Sequence, residues 1–401
     1  MANFELMRKL SIKTDSKIVF LIIDGLGGLP REKGGETEVE EAKTPNLDAL
    51  ARESICGMID PISPGITPGS GPAHLALFGY DPVRYQVGRG VLAALGIGFD
   101  LKPSDVSARF NFATVDDEGK VVDRRAGRIP SEEGRRLCQL LEEIRLPRVT
   151  IFVKPVKEYR GVLILRGENL SGDLSDSDPQ EIGVPPRRIS PLSPEAKETA
   201  ELVNQFVEEA RRKLSSEHPA NFILLRGFDR YHPFPTMTEI YKLTPASIAS
   251  YPMYRGVTKL IGMELLKTGD TLAEELKTLR ENYQRFDFFY VHIKKTDSAG
   301  EDGDFERKAS LLEEVDQVIP EILALSPEVL VITGDHSTPA MLKAHSWHPV
   351  PVLLHSRWCR PDKVERFSER EFNLGGLGRI PATELMPLAM ANALKLAKYG
   401  A

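Results

Sequence analysis

Three runs of apolar residues, each followed by an acidic residue, are the clearest pattern along this chain. Residues 18–23, 286–293 and 329–333 are mostly apolar and lack the regular polar spacing of a surface helix. Asp24 follows the first run, Asp297 follows the second after two lysines, and Asp335 follows the third. Short apolar runs of this kind are typical of strands buried on both faces of a parallel sheet. The pattern therefore predicts three buried strands with a carboxylate beyond each carboxyl end.

The alternation of strands and helices is interrupted in the middle of the chain. Residues 17–80 contain a strand, a glycine turn and a helix that begins near Pro45. From about residue 82 to 235, short alternating runs predict a smaller mixed sheet, and a charged amphipathic helix is predicted from Ser193. The alternation of strands and helices resumes after residue 235. We therefore expect an α/β fold with a core domain at 1–82 and 236–401 and a smaller α+β domain inserted at 83–235.

The acidic strand ends predict a metal site. In an open α/β sheet the carboxyl ends of the strands form one crevice, so residues that are distant in the sequence converge there. His336 and His345 follow the third strand, and Glu301 lies four residues after Asp297. Such a set of carboxylates and imidazoles suits a pair of divalent cations. One aspartate after one strand more often caps the next helix, but three such strand ends with two histidines favour metal binding.

A nucleophile is also present in the first region. Ser70 lies in a loop rich in glycine and proline, immediately before a short helical pattern. At a helix N-terminus the backbone N–H groups favour a phosphate, and a metal would activate a coordinated hydroxyl. Ser70 is therefore a candidate to attack phosphorus. Without the metal cluster, an ordinary N-cap serine would be the better interpretation.

Positive charge is concentrated in the inserted segment. Arginine suits bidentate contacts to carboxylate or phosphate, so an anionic small molecule is a reasonable partner for this segment. For any single arginine, a solubilising surface role is equally compatible with the sequence. The candidate anion-binding residues are Arg109, Asn111, Arg125, Arg128, Arg160 and Arg166.

Composition narrows the class of protein. The 401 residues carry a net charge of −6, which argues against general binding to nucleic acid or to a membrane surface. Cys56, Cys138 and Cys359 are too widely spaced for a disulfide framework or a zinc knuckle, which favours a reducing cytoplasm. No segment has the length and apolar content of a membrane span or a signal peptide. We expect a cytoplasmic protein with a small-molecule substrate.

Several segments, in order along nearly the whole chain, resemble one known family. They are similar to the archaeal-type cofactor-independent phosphoglycerate mutases of the alkaline phosphatase superfamily. Each segment alone is a weak match, but together they are highly specific. The matching segments are residues 24–27, 42–48, 67–75, 111–116, 123–128, 294–297, 334–337 and 344–346.

The resemblance implies a fold and a reaction. The core would be alkaline-phosphatase-like with three layers, and the inserted domain would close over the substrate and exclude water. Ser70 would take the phosphoryl group of 3-phosphoglycerate and return it to the neighbouring hydroxyl, giving the 2-phosphoglycerate of glycolysis and gluconeogenesis without bisphosphoglycerate. The resemblance also adds Arg226 to the substrate contacts and makes either Asp176 or Asp178 the acid/base.

Two divalent cations are also implied, with Mn²⁺ the first choice and Mg²⁺, Co²⁺ or Zn²⁺ the alternatives. The implied ligands are Asp24, Ser70, Asp335 and His336 for one ion, and Asp297, residue 301 and His345 for the other. Glu301 departs from the family, which usually has histidine at this position. A carboxylate there favours manganese or magnesium over zinc.

Two other classes of function remain open. A metal-dependent phosphomonoesterase or another phosphomutase of the same superfamily would use the same serine and metals. A binding protein whose second metal site is degenerate would also retain these motifs.

Overall fold

The computed structural model describes residues 3–400. Its strands are β1 (Ile18–Ile23), β2 (Ile55–Asp60), β3 (Asp105–Val115), β4 (Val121–Asp123), β5 (Thr150–Lys157), β6 (Arg160–Arg166), β7 (Phe222–Arg230), β8 (Pro245–Ile248), β9 (Glu264–Leu265), β10 (Phe288–Ile293), β11 (Val329–Thr333), β12 (Val350–Ser356) and β13 (Gly378–Pro381).

The helices alternate with these strands through much of the chain. They are α1 (Phe4–Leu10), α2 (Glu38–Glu41), α3 (Pro45–Arg52), α4 (Ser70–Leu77), α5 (Arg89–Gly96), α6 (Ser131–Glu142), α7 (Lys197–Leu214), α8 (Met237–Tyr241), α9 (Pro252–Leu260), α10 (Leu272–Asn282), α11 (Lys295–Asp302), α12 (Phe305–Leu323), α13 (Glu369–Phe372) and α14 (Leu385–Asn392). Single 3₁₀ turns occur at Pro194–Ala196 and Ala382–Glu384, and Ala126–Arg128 forms a turn with left-handed backbone. Among the described residues, no helix combines the length and apolar content needed to cross a bilayer.

The larger of two compact units contains an eight-stranded sheet in the order β13-β2-β12-β11-β1-β10-β8-β9. This unit comprises the chain up to Gln86, Pro235–Tyr251, and the chain from Ile261 onward. The three predicted apolar strands are β1, β10 and β11, and all their residues are buried. The prediction of an α/β fold is therefore confirmed.

The register of the central strands brings the acidic strand ends together. β1 lies between β10 and β11 and is parallel to both. Ile23 at the end of β1 is paired with Ile293 at the end of β10, and Ile22 is paired with Thr333 at the end of β11. The carboxyl ends of β1, β10 and β11 therefore lie at the same edge of the sheet, where parallel strands form a crevice.

The second unit comprises Val87–Phe234 and Pro252–Leu260 and contains a five-stranded sheet. Its strand pairs are all antiparallel, so the prediction of a mixed sheet was wrong. The physical reason is the connection: β5 and β6 are joined by a tight turn, which can only reverse the chain. Phe110 and Phe112 of β3 face a core that includes residues of α6 and α7.

Helix α9 lies in the second unit, although the predicted boundary assigned its residues to the core domain. It packs closely on α5. A Cβ added to Gly256 of α9 would lie 2.0 Å from the carbonyl oxygen of Leu92, so only glycine permits this approach. Contacts between two helices that are far apart in sequence are not visible in local patterns.

Candidate functional site

The first group of metal-binding candidates lies at the shared edge of β1 and β11. Asp24 directly follows β1, and Asp335 and His336 follow β11 by one residue. All three side chains are fully buried, and one potential ligand atom from each lies within 4.8 Å of the others. His336 Nε2 is 3.4 Å from Asp24 Oδ1 and 3.1 Å from Asp335 Oδ2. Three predicted ligands that are distant in sequence therefore converge.

Ser70 joins this group from the first residue of α4. Its hydroxyl oxygen lies 3.2 Å from His336 Nε2, and the residue is only half-buried. The Gly69–Ser70 junction has extended backbone before the helix begins, which places the serine at the N-terminus as predicted. The residue is thus partly exposed, and its hydroxyl lies next to the buried ligands.

Thr338 fixes the orientation of the His336 ring. The hydroxyl of Thr338 donates a 2.8 Å hydrogen bond to Asp297 Oδ1 and lies 2.9 Å from His336 Nδ1. Because its single hydrogen is given to Asp297, the hydroxyl accepts from His336 Nδ1–H. The Nε2 atom of His336 is therefore the one that faces Asp24, Asp335 and Ser70.

A second group consists of Asp297, His336 and His345, again with ligand atoms within 4.8 Å of one another. His345 Nε2 lies 3.6 Å from Asp297 Oδ1, while its Nδ1 lies 2.9 Å from the carbonyl oxygen of Pro68. That carbonyl can only accept, so Nδ1 carries the proton and Nε2 faces Asp297. Glu301 is more peripheral: its side chain is 55 % exposed and lies 4.0 Å from His345 Nε2.

Negative charge exceeds positive charge in this cluster. Burial would lower the pKa of His336, but Asp335 and Asp24 raise it to about 9. Burial likewise opposes ionisation of Asp335, yet the charged imidazole of His336 holds its pKa below the usual range. The carboxylates are thus ionised, and a neighbouring base retains a proton to balance them.

This arrangement fits divalent cations. Two imidazoles have their Nδ1 atoms engaged by Thr338 or a backbone carbonyl, which leaves Nε2 directed at buried carboxylates, the usual outer-shell geometry of metal-bound histidine. The excess of carboxylates supplies the negative charge that a cation would neutralise. The residues that could hold cations are Asp24, Ser70, Asp297, Asp335, His336 and His345, with Glu301 at the rim.

Three participating residues were missed by the sequence analysis. The ammonium group of Lys294 contacts Asp297 and lies 3.0 Å from Asp24 Oδ2, so it bridges the two groups. Thr338 orients His336, and His292 Nε2 lies 3.5 Å from Asp24 Oδ2. The only sequence clue was their place in or near the acidic strand ends, which does not reveal side-chain direction.

His74 contacts the backbone of Ser70 and has a structural role. Its Nδ1 lies 2.7 Å from the carbonyl oxygen of Ser70 and 3.3 Å from Asp335 Oδ2. Burial lowers the pKa of His74 to about 4, so the ring is neutral and its Nδ1–H donates to that carbonyl. The ring therefore holds the first turn of α4 in place and is not directed at the Ser70 hydroxyl.

One face of the second unit's sheet carries most of the predicted anion-binding residues. Arg109 and Asn111 alternate with core phenylalanines along β3. Arg226 of β7 is the direct partner of Arg109, and Arg160 of β6 is the direct partner of Asn111. Directly paired residues point to the same face of an antiparallel sheet, so these four side chains share one face.

The two candidate aspartates in this unit differ in environment. Arg124, which the sequence analysis had not selected, donates two hydrogen bonds of 2.9 and 2.7 Å to the buried carboxylate of Asp178. Although burial would raise the pKa of Asp178, these bonds lower it. Asp176 is half-buried, accepts a hydrogen bond from the Gly227 amide and lies 3.7 Å from Arg226 Nε. Asp176 is therefore the more accessible of the pair.

Arg125 and Arg128 are presented by an unusual turn. Ala126, Gly127 and Arg128 all have left-handed backbone, with φ values of 45°, 61° and 54°. The carboxylate of Asp123 accepts hydrogen bonds from the amides of Arg125 and Gly127 and so holds this turn. Both arginines are exposed, and neither forms an ion pair with any residue in the range 3–400. They are available to an anion.

Arg166 is not brought together with the other candidates. It donates two hydrogen bonds, of 2.8 and 2.7 Å, to the buried carboxylate of Asp105. It lies at the opposite end of β6 from Arg160, about 20 Å away at the usual rise of a strand. Its guanidinium group therefore has a local structural partner.

Comparison with known proteins places this geometry in one family. A family model described as 2,3-bisphosphoglycerate-independent phosphoglycerate mutase matches residues 51–221. A Thermus thermophilus protein named as a probable 2,3-bisphosphoglycerate-independent phosphoglycerate mutase is 54 % identical over 403 residues, which cover 99 % of both chains.

Two solved structures agree with this relationship. A protein from Pyrococcus horikoshii is similar with a TM-score of 0.85 and 32 % identity, over 97 % of this chain and 100 % of its own. A cofactor-independent phosphoglycerate mutase from Thermoplasma acidophilum gives a TM-score of 0.69 and 30 % identity, over 94 % and 100 % of the two chains. The chain therefore belongs to the family of 2,3-bisphosphoglycerate-independent phosphoglycerate mutases, as its sequence motifs indicated.

Proposed function

We propose that this protein interconverts 3-phosphoglycerate and 2-phosphoglycerate without bisphosphoglycerate, through a phosphoserine formed on Ser70. Membership of the mutase family supports the reaction. The observation that carries the role of Ser70 is its position: the hydroxyl of this half-buried residue lies 3.2 Å from His336 Nε2, which is close to the buried carboxylates of Asp24 and Asp335.

Ser70 is suited to take and return a phosphoryl group. It is the first residue of α4, where backbone N–H groups without helical partners favour the negative charge of a phosphate. In the other direction, the same N–H groups stabilise the leaving serine oxygen as it gains charge. The neutral His74 ring keeps this turn in place by donating to the Ser70 carbonyl.

The metal cluster would hold two divalent cations, for which we propose Mn²⁺ first. Asp24, Ser70, Asp335 and His336 would hold one cation, and Asp297, Glu301 and His345 the other. Bound cations would supply charge neutralisation for phosphoryl transfer and would lower the pKa of the serine hydroxyl. Thr338 and the Pro68 carbonyl contribute by fixing which nitrogen of each histidine is available.

Lys294 balances the carboxylates around the reacting group. Burial would lower its pKa, but Asp24 and Asp297 raise that pKa above its usual value, so the ammonium group stays charged. A fixed positive charge between two ligand groups reduces repulsion between the carboxylates and an incoming phosphate. We therefore assign Lys294 to phosphate binding.

The second unit contributes the remaining substrate contacts in this proposal. Arg109, Asn111, Arg160 and Arg226 would bind the carboxylate and phosphate oxygens, together with the exposed Arg125 and Arg128. Asp176 would exchange a proton with the glycerate hydroxyls, because Asp178 is buried and held by Arg124. We assign no substrate contact to Arg166, because Asp105 already occupies its guanidinium group.

Phosphorus NMR of 3-phosphoglycerate tests this function. Metal-stripped protein is supplied with Mn²⁺ and no bisphosphoglycerate, and Ser63→Ala serves as the control because Ser63 is an exposed serine of the same loop. We expect 2-phosphoglycerate from the wild type and the control, and a rate at least about a thousandfold lower from Ser70→Ala. Release of inorganic phosphate would identify a phosphomonoesterase instead, and an unchanged spectrum would contradict the mutase assignment.

A further inference from the structure

A completely buried lysine contacts both loops that carry the first group of candidate metal ligands. Lys308 lies in the first turn of α12, within a segment rich in charged residues, and none of its surface is exposed. Its ammonium group donates two hydrogen bonds of 2.9 Å, one to the carbonyl oxygen of Gly27 and one to that of Thr338. Gly27 belongs to the loop after β1, and Thr338 to the loop after β11.

A buried glutamate makes the complementary contacts to the same two loops. Glu38 of α2 is also completely buried, and its Oε1 lies 4.0 Å from the Lys308 ammonium nitrogen. Glu38 Oε2 accepts a 2.9 Å hydrogen bond from the amide of Leu29, and Oε1 accepts one of 2.7 Å from the amide of Ala340. The lysine thus binds one carbonyl from each loop, and the glutamate binds one amide from each loop.

These two loops carry the ligands of the first metal group. Residues 24–29 begin with Asp24, and residues 334–340 contain Asp335 and His336. A direct 3.1 Å hydrogen bond from the Thr338 amide to the Gly27 carbonyl also joins them. The Gly27 carbonyl therefore accepts from both Lys308 and Thr338, and the relative position of the loops is determined by the ion pair as well as by direct contact.

Fold stability alone is a weak reason to bury this pair. Removing two charges from water is costly, and well-packed apolar residues are often at least as stabilising. Apolar replacements would, however, leave two carbonyls and two amides of the ligand loops without these partners. The distinctive contribution of the pair is therefore the fixed spacing of the loops, on which the spacing of metal ligands depends.

We propose that the Lys308–Glu38 pair is a positioning element that holds the loops 24–29 and 334–340 at metal-binding distance. This inference rests on the proposed metal centre, because the loops matter to function through the ligands they carry. In this proposal neither residue is a ligand of a cation or a contact of the substrate. Loss of the pair weakens metal binding and leaves turnover by the metal-loaded enzyme largely intact.

Two substitutions and one control separate positioning from general stability. Lys308→Met keeps most of the side-chain volume but removes both donors, and Glu38→Gln is isosteric but replaces one acceptor with a donor. Arg307→Met is the control, because Arg307 precedes Lys308 on α12 and its half-exposed side chain forms a surface ion pair with Glu314. For each protein, calorimetry gives the Mn²⁺ dissociation constant, circular dichroism the metal-free melting temperature, and a kinetic assay kcat at saturating Mn²⁺.

We expect both variants to raise the tighter Mn²⁺ dissociation constant about 10- to 100-fold, with kcat at saturating Mn²⁺ within about threefold of wild type. Arg307→Met should leave the constant unchanged. Folded variants with wild-type Mn²⁺ affinity and only a lower melting temperature would overturn the inference. If Lys308→Met does not fold, the isosteric Glu38→Gln decides the question by the same criterion. Failure of the wild type itself to bind Mn²⁺ would overturn the metal centre and this inference with it.

Discussion

At the scale of single residues, His336 determines how the ligands can be divided between two cations. Its Nε2 atom faces the first group, its Nδ1 is engaged by Thr338, and its ring stacks on His345 with centroids 3.6 Å apart. Because one nitrogen lone pair binds one cation, His336 cannot complete both groups simultaneously. In the proposed two-cation centre, the second cation would then depend on Asp297, His345 and Glu301, whose carboxylate lies 4.0 Å from His345 Nε2.

Glu301→Ala should therefore weaken the second cation selectively. Removing one carboxylate from an incomplete ligand set is expected to raise the dissociation constant of the weaker Mn²⁺ at least about tenfold, while the tighter site changes little. Calorimetric titration of metal-stripped protein measures both constants. Asp302→Ala is the matched control, since Asp302 is an exposed carboxylate on the same helix. An unchanged weaker site in Glu301→Ala, or an equal effect in the control, would exclude Glu301 as a ligand.

At the scale of secondary-structure elements, the turn at residues 123–128 stores backbone strain. Ala126 and Arg128 adopt left-handed conformations that side chains other than glycine disfavour, at a cost of roughly 1–3 kcal/mol each. The two hydrogen bonds to the Asp123 carboxylate offset part of this cost. The turn therefore presents Arg125 and Arg128 in one defined arrangement only while Asp123 is in place.

Asp123→Ala should impair substrate binding more than turnover. Without its carboxylate the turn relaxes and the two arginines lose their fixed positions, so KM for 3-phosphoglycerate is expected to rise about tenfold with a smaller change in kcat. Steady-state kinetics give both constants. Asp117→Ala is the control, because it removes an exposed aspartate from a neighbouring turn of the same unit. A KM equal to that of the control would contradict a role for this turn in binding.

The elements that position the site could largely be predicted from sequence, but the polar network around it could not. Continuous apolar runs revealed β1, β10 and β11, because strands buried on both faces tolerate few polar residues. Lys308 and Glu38, in contrast, lie in charged segments that resemble solvated helix faces, and only the structure shows them pointing inward. Similarly, the motif at 123–128 identified a cluster of arginines but not that Arg124 pairs with Asp178.

At the scale of the whole molecule, the net negative charge of the protein opposes binding of the proposed anionic substrate. The net charge of −6 repels an anion at long range, although salt screens this repulsion beyond about 8 Å at physiological ionic strength. In the proposed function, local positive groups such as Arg125, Arg128 and Lys294 would offset this repulsion. Burial of an ionisable group in the core unit also makes its stability depend on pH.

Glu275 is expected to make the free energy of unfolding depend on pH. It is buried on α10, and burial together with the nearby Asp270 raises the pKa of its carboxyl group to about 8, against the opposing effect of Lys295. The unfolded chain releases this proton near pH 4.5, whereas the folded protein retains it, so the folded state binds more protons between these values. The contribution of Glu275 to the free energy of unfolding is therefore present below pH 4.5 and declines as the pH rises to about 8.

Glu275→Gln should remove this decline, because the amide cannot ionise. The difference in free energy of unfolding between the variant and wild type is expected to shift in favour of the variant by roughly 1–4 kcal/mol from pH 5 to pH 8. This corresponds to several degrees in melting temperature. Thermal melts at both pH values measure the difference. Glu274→Gln is the control, since Glu274 is the exposed neighbour whose pKa is lowered by hydrogen bonds from Thr271. Parallel pH profiles for wild type and Glu275→Gln would contradict a protonated Glu275.

Transfer of the phosphoryl group through Ser70 can be observed by mass spectrometry of the acid-quenched protein. Protein loaded with Mn²⁺ is mixed with 3-phosphoglycerate, quenched and digested, and the peptide containing Ser70 is analysed. We predict one added phosphoryl group on Ser70 in the wild type and in Ser63→Ala, dependent on Mn²⁺ and absent without substrate. Formation of 2-phosphoglycerate by a Ser70→Ala variant, or a phosphoryl group found on another residue in its place, would contradict transfer through Ser70.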